Sequence, residues 1–204
     1  MRYAGRMDFG DILLFWFGEL DAEGRADDVH SKRWWKKDAA FDDEIRARFQ
    51  AAHAAVLAGQ QDDWLVTPRG RLAYVIVLDQ FSRNMYRGTR RMFDGDQKAL
   101  RAVLDGMTRG ADRELCHAER SFFYMPLMHS EDVAVQERSV STFEAWRDEL
   151  AGDARERVAG LVKYAEQHRD IVRRFGRFPH RNALLDRTST HQEEDFLKQP
   201  GSSF

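Results

Sequence analysis

The apolar residues of this chain recur at helical spacing almost throughout, and that periodicity most constrains the fold. Phe41, Ile45, Phe49, Ala52 and Val56 lie on one face of a 3.6-residue repeat, as do Val158, Leu161, Val162, Ala165, Val172 and Phe175. No run alternates polar and apolar residues in the manner of a strand, and only four prolines interrupt 204 residues. The chain therefore reads as all-α.

The breaks between periodic stretches carry the chemistry of helix ends. Asp8 opens a first helix that stops near Gly18. Residues 19–37 are polar and irregular, with Trp34 and Trp35 as anchors. A second helix over about 40–58 ends at Gly59. Thr67-Pro68 pairs a hydroxyl cap with a proline at the first helical position. The following "RGRLAYVIVLDQF" is apolar on nearly every side, which predicts a central, buried helix. Further helices are expected over about 95–109, 113–125 (ending before Pro126), 131–151 (capped by Ser130) and 154–175 (stopped by Gly176). Thr190 and Glu193 have capping-box spacing for a last short helix. Short breaks make antiparallel helix pairs, and no linker divides the chain, so one domain over 1–204 with its core at about 8–197 is expected.

Composition narrows function by exclusion. A net charge of −2 argues against a general nucleic-acid or anionic-membrane binder. The run "ILLFWF" is too short to span a bilayer, has acidic neighbours and lacks a cleavage pattern, so a cytoplasmic protein is expected. Cys116 is the single cysteine and reads as a reduced, partly buried thiol. No phosphate-binding glycine loop, dinucleotide fingerprint, metalloprotease motif or nucleophile elbow is present, and no cofactor is expected. His129, Glu131, His168, Asp170 and His180 are metal-ligand types, yet their spacing marks no metal site.

Charge is unevenly spread. Residues 169–187 hold six arginines against Asp170 and Asp186, a basic zone in a slightly acidic chain. Several polar residues also fall where the helical pattern asks for apolar ones. His168 lies seven residues from both Leu161 and Phe175. Gln136 lies between Val133 and Val140. Asp79 continues the line of Leu72, Val75 and Ile76, with Arg83 four residues on and Gln80–Asn84 as the neighbouring pair. Taken singly, each fits a satisfied core residue; together they fit the lining of a polar pocket. His129, Ser130 and Glu131 stand at a helix start, where Ser130 reads as a cap and free N–H groups suit an anion. His129 and His180 suit acid–base chemistry.

Three stretches, "VLDQFSRNMYRG", "FFYMPLMHSED" with "VQE", and "HRDIVRRFGRFPHRNALLDR", resemble a bacterial family, the domain of unknown function numbered 924. "ILLFWFG" and "RWWKKDAAFDDEIRARF" support the resemblance, which covers about 12–197. It implies an all-helical, tetratricopeptide-like arrangement of helix hairpins in a right-handed superhelix, although no sequence repeat is visible. It implies no activity. The motif positions are Asp79, Gln80, Arg83, Asn84, His129, Ser130, Glu131, Gln136, His168, Arg174, Arg177, His180, Arg181 and Asn182. This chain reads Phe81-Ser82-Arg83-Asn84 where the family usually has proline second. A proline there would end the helix and undo an Asp79–Arg83 pair.

The expectation is a protein that binds a small anion or acidic group. Arg174, Arg177 and Arg181 would grip it. Asp79, Gln80, Arg83, Asn84, His129, Glu131, Gln136, His168, His180 and Asn182 would orient it or hold the arginines. Two alternatives stand beside it. One is an enzyme on an anionic metabolite with a histidine as acid or base. The other is a helical scaffold for a protein partner, in which the polar cluster is structural.

Overall fold

The computed structural model describes residues 7–202. The expected domain's extreme ends, and the first residues of the segment read for a leader, fall outside them. Among the described residues the secondary structure is helical, with no strand. No helix among them is long and apolar enough to cross a membrane. The contacts group into two compact units, one running to Pro126 and one from Leu127.

The first unit begins with α1 (Phe9–Phe17). The Asp8 carboxylate accepts from Gly10 N–H, and Gly18 at φ 68° closes the helix. The stretch expected to be irregular contains a short α2 (Asp28–Arg33), capped by Asp27. Trp34 anchors as expected, its ring N–H donating to the Trp16 carbonyl at 2.8 Å. Trp35 remains 65% exposed, with one ring face stacked on Phe122. Next comes α3 (Ala39–Leu57), capped by Asp38, with the expected stripe Phe41, Ile45, Phe49, Ala52 and Val56 buried.

From Thr67, whose hydroxyl accepts from Gly70 N–H, α4 (Pro68–Ile76) starts as the Thr-Pro pair predicts. Its run from Leu72 to Leu78 is buried throughout, as a helix apolar on all sides must be. The ladder then widens to a π-helix over Val77–Phe81 before α5 (Ser82–Met85) resumes. A π-turn holds one residue more than an α-turn and leaves carbonyls to be satisfied by other groups. The Ser82 hydroxyl donates to Leu78 O at 2.6 Å, and Arg83 donates to Asp79 O at 3.0 Å. Gly95 makes room for the turn: a Cβ there would stand 2.4 Å from Leu78 O. Phe81 leaves the π-turn into an aromatic core, 4.9 Å from Phe49 and 5.7 Å from Trp16 between ring centroids.

Then come α6 (Asp96–Thr108), followed by Gly110 at φ 76°, and α7 (His117–Met128). Here the structure corrects the sequence reading. The helix runs through Pro126 and ends two residues beyond it.

In the second unit, α8 (Val133–Asp148) is capped by Asp132, which accepts from Ala134 and Val135 N–H, not by Ser130. Ser130 instead accepts from Asp132 N–H one step earlier. The link of three residues to α9 (Gly152–Phe175) folds the two helices into an antiparallel hairpin. Arg155 meets Asp148 near the link, and Arg173 meets Glu137 at the far end. Gly176 at φ 69° stops α9, and the chain passes through two short 3-10 turns to α10 (His191–Leu197). The Thr190–Glu193 capping box forms in both directions. Ile171, Val172 and Phe178, with Phe175 and Phe196 packed against them, make a small apolar core at this end.

Candidate functional site

The sequence-predicted polar residues divide between the two units. Asp79, Gln80, Arg83 and Asn84 lie in the first. The helix continues through Ser82, so the Asp79–Arg83 pair forms, at 2.9 Å. Arg83 also reaches Asp96 with both terminal nitrogens, at 3.0 and 3.3 Å. Gln80 does not pair with Asn84, as its spacing suggested. Its amide donates to Asp79 at 2.7 Å, and that of Asn84 donates to Asp42, also at 2.7 Å. Arg87 grips the same Asp42 with two nitrogens, at 2.6 and 2.9 Å. Asp79 and Asp42 are buried, and guanidiniums offset the cost of that burial.

One nucleophile candidate in this unit is disarmed by its geometry. His53 Nε2 lies 2.7 Å from Ser82 Oγ, resembling a serine–histidine dyad. The Ser82 proton is already given to Leu78 O, so His53 must donate to the hydroxyl and cannot act as its base. Cys116 is also unactivated: burial raises its pKa, and its thiol points at the Gly24 carbonyl. An open groove of about 730 Å³ runs along α3, lined by Asp43, Arg46, Ala47, Gln50, Ala51 and Ala54; it contains none of the predicted residues.

The second unit gathers six of the predicted residues: His129, Glu131, Gln136, His168, His180 and Arg181. The link between α7 and α8 is fastened by side chains. The Gln136 amide donates to Met128 O and Ser130 O, each at 2.6 Å, and Arg181 donates to the His129 carbonyl between them at 2.9 Å. Three consecutive carbonyls are thus taken by two buried side chains, which fixes where the His129 ring stands. That ring lies 6.2 Å from His168. Phe178 forms the hub: His168 is 5.6 Å from it, His180 5.5 Å, and the Arg181 guanidinium 4.5 Å above its face.

The electrostatics follow from burial and that guanidinium. Burial, reinforced by His129 and Arg181, pushes His168 down to about 3. His168 Nδ1 donates to Tyr164 O at 2.7 Å, so the neutral ring carries its proton there. His180 falls to about 4, through burial and Arg181, with Glu131 opposing. Glu131 gives both oxygens to Arg187 and accepts from Phe178 N–H. Burial works against its charge, but Arg187, the Phe178 amide and Arg181 outweigh it and hold the carboxyl below its ordinary range. Among the described residues, no group of three or more His, Cys, Asp or Glu side chains is placed to hold a metal ion.

Three predicted residues lie to the side of this cluster. Arg177 forks onto Glu193 at 2.7 and 2.8 Å and reaches Thr188 O at 2.9 Å. Arg174 is exposed, its guanidinium over the rings of Phe175 and Phe196. Asn182 is buried and donates to Ser189 Oγ at 3.0 Å. Periodicity missed the partners of these residues. Glu193 read only as a cap, although it also serves Arg177. Asp42, Asp96, Phe178 and Arg187 sit where helix ends and loops place such types routinely. No spacing signals them, because their contacts are long in sequence: Arg187 reaches Glu131 across 56 residues.

Among curated proteins nothing matches the chain. A solved structure of a protein of unknown function from Agrobacterium tumefaciens is similar, at 37% identity and a TM-score of 0.78, covering 93% of this chain and 96% of that one. The model of the bacterial proteins of unknown function called DUF924 matches residues 12–201, and the chain belongs to that family.

Proposed function

We propose that the second unit binds a small oxyanion at the cluster of His129, His180 and Arg181, backed by His168. The observation that carries this reading is the grouping of His168, His180 and the Arg181 guanidinium around Phe178, with the His129 ring 6.2 Å from His168. The positive field of Arg181 is felt there, since it helps keep His168 and His180 unprotonated. The single N–H of neutral His168 is held by Tyr164 O, so His168 backs the cluster as a ring rather than as a donor, and Arg181 supplies the charge that draws an anion. His129 and His180 are only half buried, so the cluster has a solvent-facing side. Arg177 is a poorer candidate, because its fork already sits on Glu193.

A scaffold role, with the tetratricopeptide-like superhelix and a protein partner, is the second reading. It is favoured by the ion pairs of Arg83, Arg87, Arg177 and Arg187 with carboxylates of their own units. Acid–base catalysis by His168 or His180 fits less well, since values of about 3 and about 4 lie far from neutral pH. A cytoplasmic setting belongs to the same proposal.

Thermal shift with inorganic phosphate and small carboxylates tests the first reading. The melting temperature should rise with dose, and Arg181→Gln should abolish the rise. A folded Arg181→Gln protein that keeps the full shift would assign the anion elsewhere.

A further inference from the structure

We propose that the turn closing α2 is a docking surface for an acidic protein segment that carries an apolar side chain. The proposal rests on the scaffold reading only in that the occupant is a protein, and it is independent of the oxyanion cluster. It starts from the stretch "SKRWWKK", in which two tryptophans stand between two pairs of cations.

The two tryptophans have opposite settings. Trp34 is half-buried; its ring N–H is held by Trp16 O, and its ring packs edge-to-face with Phe17 and Phe122. Trp35 lies flat on Phe122, with ring centroids 5.8 Å apart and planes within 16° of parallel, and is 65% exposed. Phe122 is itself buried, wedged edge-to-face among Trp16, Phe17 and Trp34. A large indole is thus laid on a firm aromatic base with most of its surface in solvent. Packing already limits its freedom, so covering it costs little further order, and that is the property of a tryptophan anchor at an interface.

The surroundings of Trp35 select the partner. Helical dihedrals persist at Trp34, φ −60° and ψ −32°, and Lys36 N–H still reaches back to Arg33 O at 3.4 Å. On that path Val29 is three and four residues from Lys32 and Arg33, and Lys32 is three from Trp35 and four from Lys36, so they share one face. All of them are exposed, Val29 by 61%. The face therefore mixes two apolar groups with cations. Lys32 pairs with Asp28 at 2.8 Å and Lys36 with Asp38 at 3.7 Å, but both lysines lie at the surface, where such pairs are worth little. A partner's carboxylate can replace either acid at small cost. An unbroken polyanion fits less well. Asp28 stands 87% exposed among the cations, and Asp27, Asp28 and Asp38 nearly balance Lys32, Arg33, Lys36 and Lys37. A nucleic-acid strand or an anionic bilayer would set negative charge against Asp28 as well. A peptide can place its carboxylates on the lysines and its apolar side chain on Trp35.

The test selects random peptides displayed on phage against the full chain, with Trp35→Ser protein in solution as competitor. The recovered peptides should carry Asp or Glu around a central apolar or aromatic residue. Labelled copies of them, followed by fluorescence anisotropy, should bind Trp35→Ser at least about tenfold more weakly and should weaken as salt is raised. The double variant Lys32→Glu with Lys36→Glu should turn the preference from acidic to basic peptides. That variant leaves the indole in place, so it decides the matter if loss of Trp35 unsettles Phe122. Recovered peptides without an acidic bias overturn the proposal, as do peptides that bind Trp35→Ser as tightly as the unaltered chain. Phosphatidylserine vesicles or polyuridylate that bind through Trp35 where acidic peptides do not would assign the surface to a polyanion and overturn it too. No enrichment at all overturns it while leaving anion binding at Arg181, and a protein partner elsewhere on the scaffold, standing.

Discussion

The two units bury the polar residues that periodicity marked by different means. In the first, burial is made tolerable by charge: Asp79 and Asp96 share Arg83, and Asp42 takes Arg87 and Asn84. In the second, burial itself, helped by the Arg181 guanidinium, keeps buried His168 and half-buried His180 unprotonated. A closed ion pair has spent its hydrogen-bonding capacity on itself. A neutral histidine carries one N–H donor and one ring-nitrogen acceptor, and needs no countercharge to stay buried. The first arrangement suits a frame; the second is the one we propose as a site.

The sharpest way to break this contrast is to remove charge from the first unit. Arg83→Ala leaves two buried or half-buried carboxylates without their shared cation and should cost about 3–5 kcal/mol by urea denaturation. A loss below about 1 kcal/mol would mean that the pairs there are incidental. The next test is acid. Above pH 6.5 the two histidines are neutral whether the chain is folded or not, and they do not affect the balance. Below it the unfolded chain takes up protons that folded His168, at about 3, and His180, at about 4, refuse, so stability falls with pH. Between pH 6.5 and 5, His168 alone should cost on the order of 2 kcal/mol, and the half-exposed His180 less. His168→Phe should flatten that slope; an unchanged slope would place the acid sensitivity elsewhere. A separate, lower window belongs to Glu193, held down to about 2 chiefly by Arg177. Its contribution is present above the ordinary carboxylate range and disappears as pH falls toward 2.

A smaller effect divides frame from site within the second unit. Arg177→Ala should lower the melting temperature, because it strips buried Glu193 of its fork, while leaving anion affinity as it was. Loss of affinity with an unchanged melting temperature would exchange the roles of Arg177 and Arg181. Smallest of all, Thr190→Ala opens the capping box of α10 and should cost about 1 kcal/mol.

The helix ends were the most legible part of the sequence, because capping chemistry is local. Asp8, Gly18, Thr67-Pro68, Gly110, Gly176 and the Thr190–Glu193 box all act where their types and offsets place them. Pro126 misled for the same local reason. Proline is a helix breaker on average, and packing overrode that average within α7. Ser130 and Asp132 compete for one helix start, and only the backbone decides which hydroxyl or carboxylate faces the open N–H groups. Periodicity correctly marked Asp79, Gln136 and His168 as buried. What it could not supply was partnership. Gln136 on the stripe of α8 does not reveal that it fastens the preceding link, nor does a basic loop reveal that Arg177 forks onto Glu193, Arg187 onto Glu131, and Arg181 across the Phe178 ring. Those facts depend on chain returning from tens of residues away.

The π-turn at Val77–Phe81 has a consequence for phase. Each residue added to or removed from a helix turns everything after it by about 100°. Deleting one residue from "VLDQF" would restore an ordinary α ladder and at the same stroke swing Arg83, Asn84 and Arg87 away from Asp96 and Asp42. The extra residue acts as an angular gear between two halves of one rod. It lets Leu72–Leu78 face a dry core while the polar residues one turn later face their carboxylates. A shortened chain would keep its composition and its helix and lose its alignment.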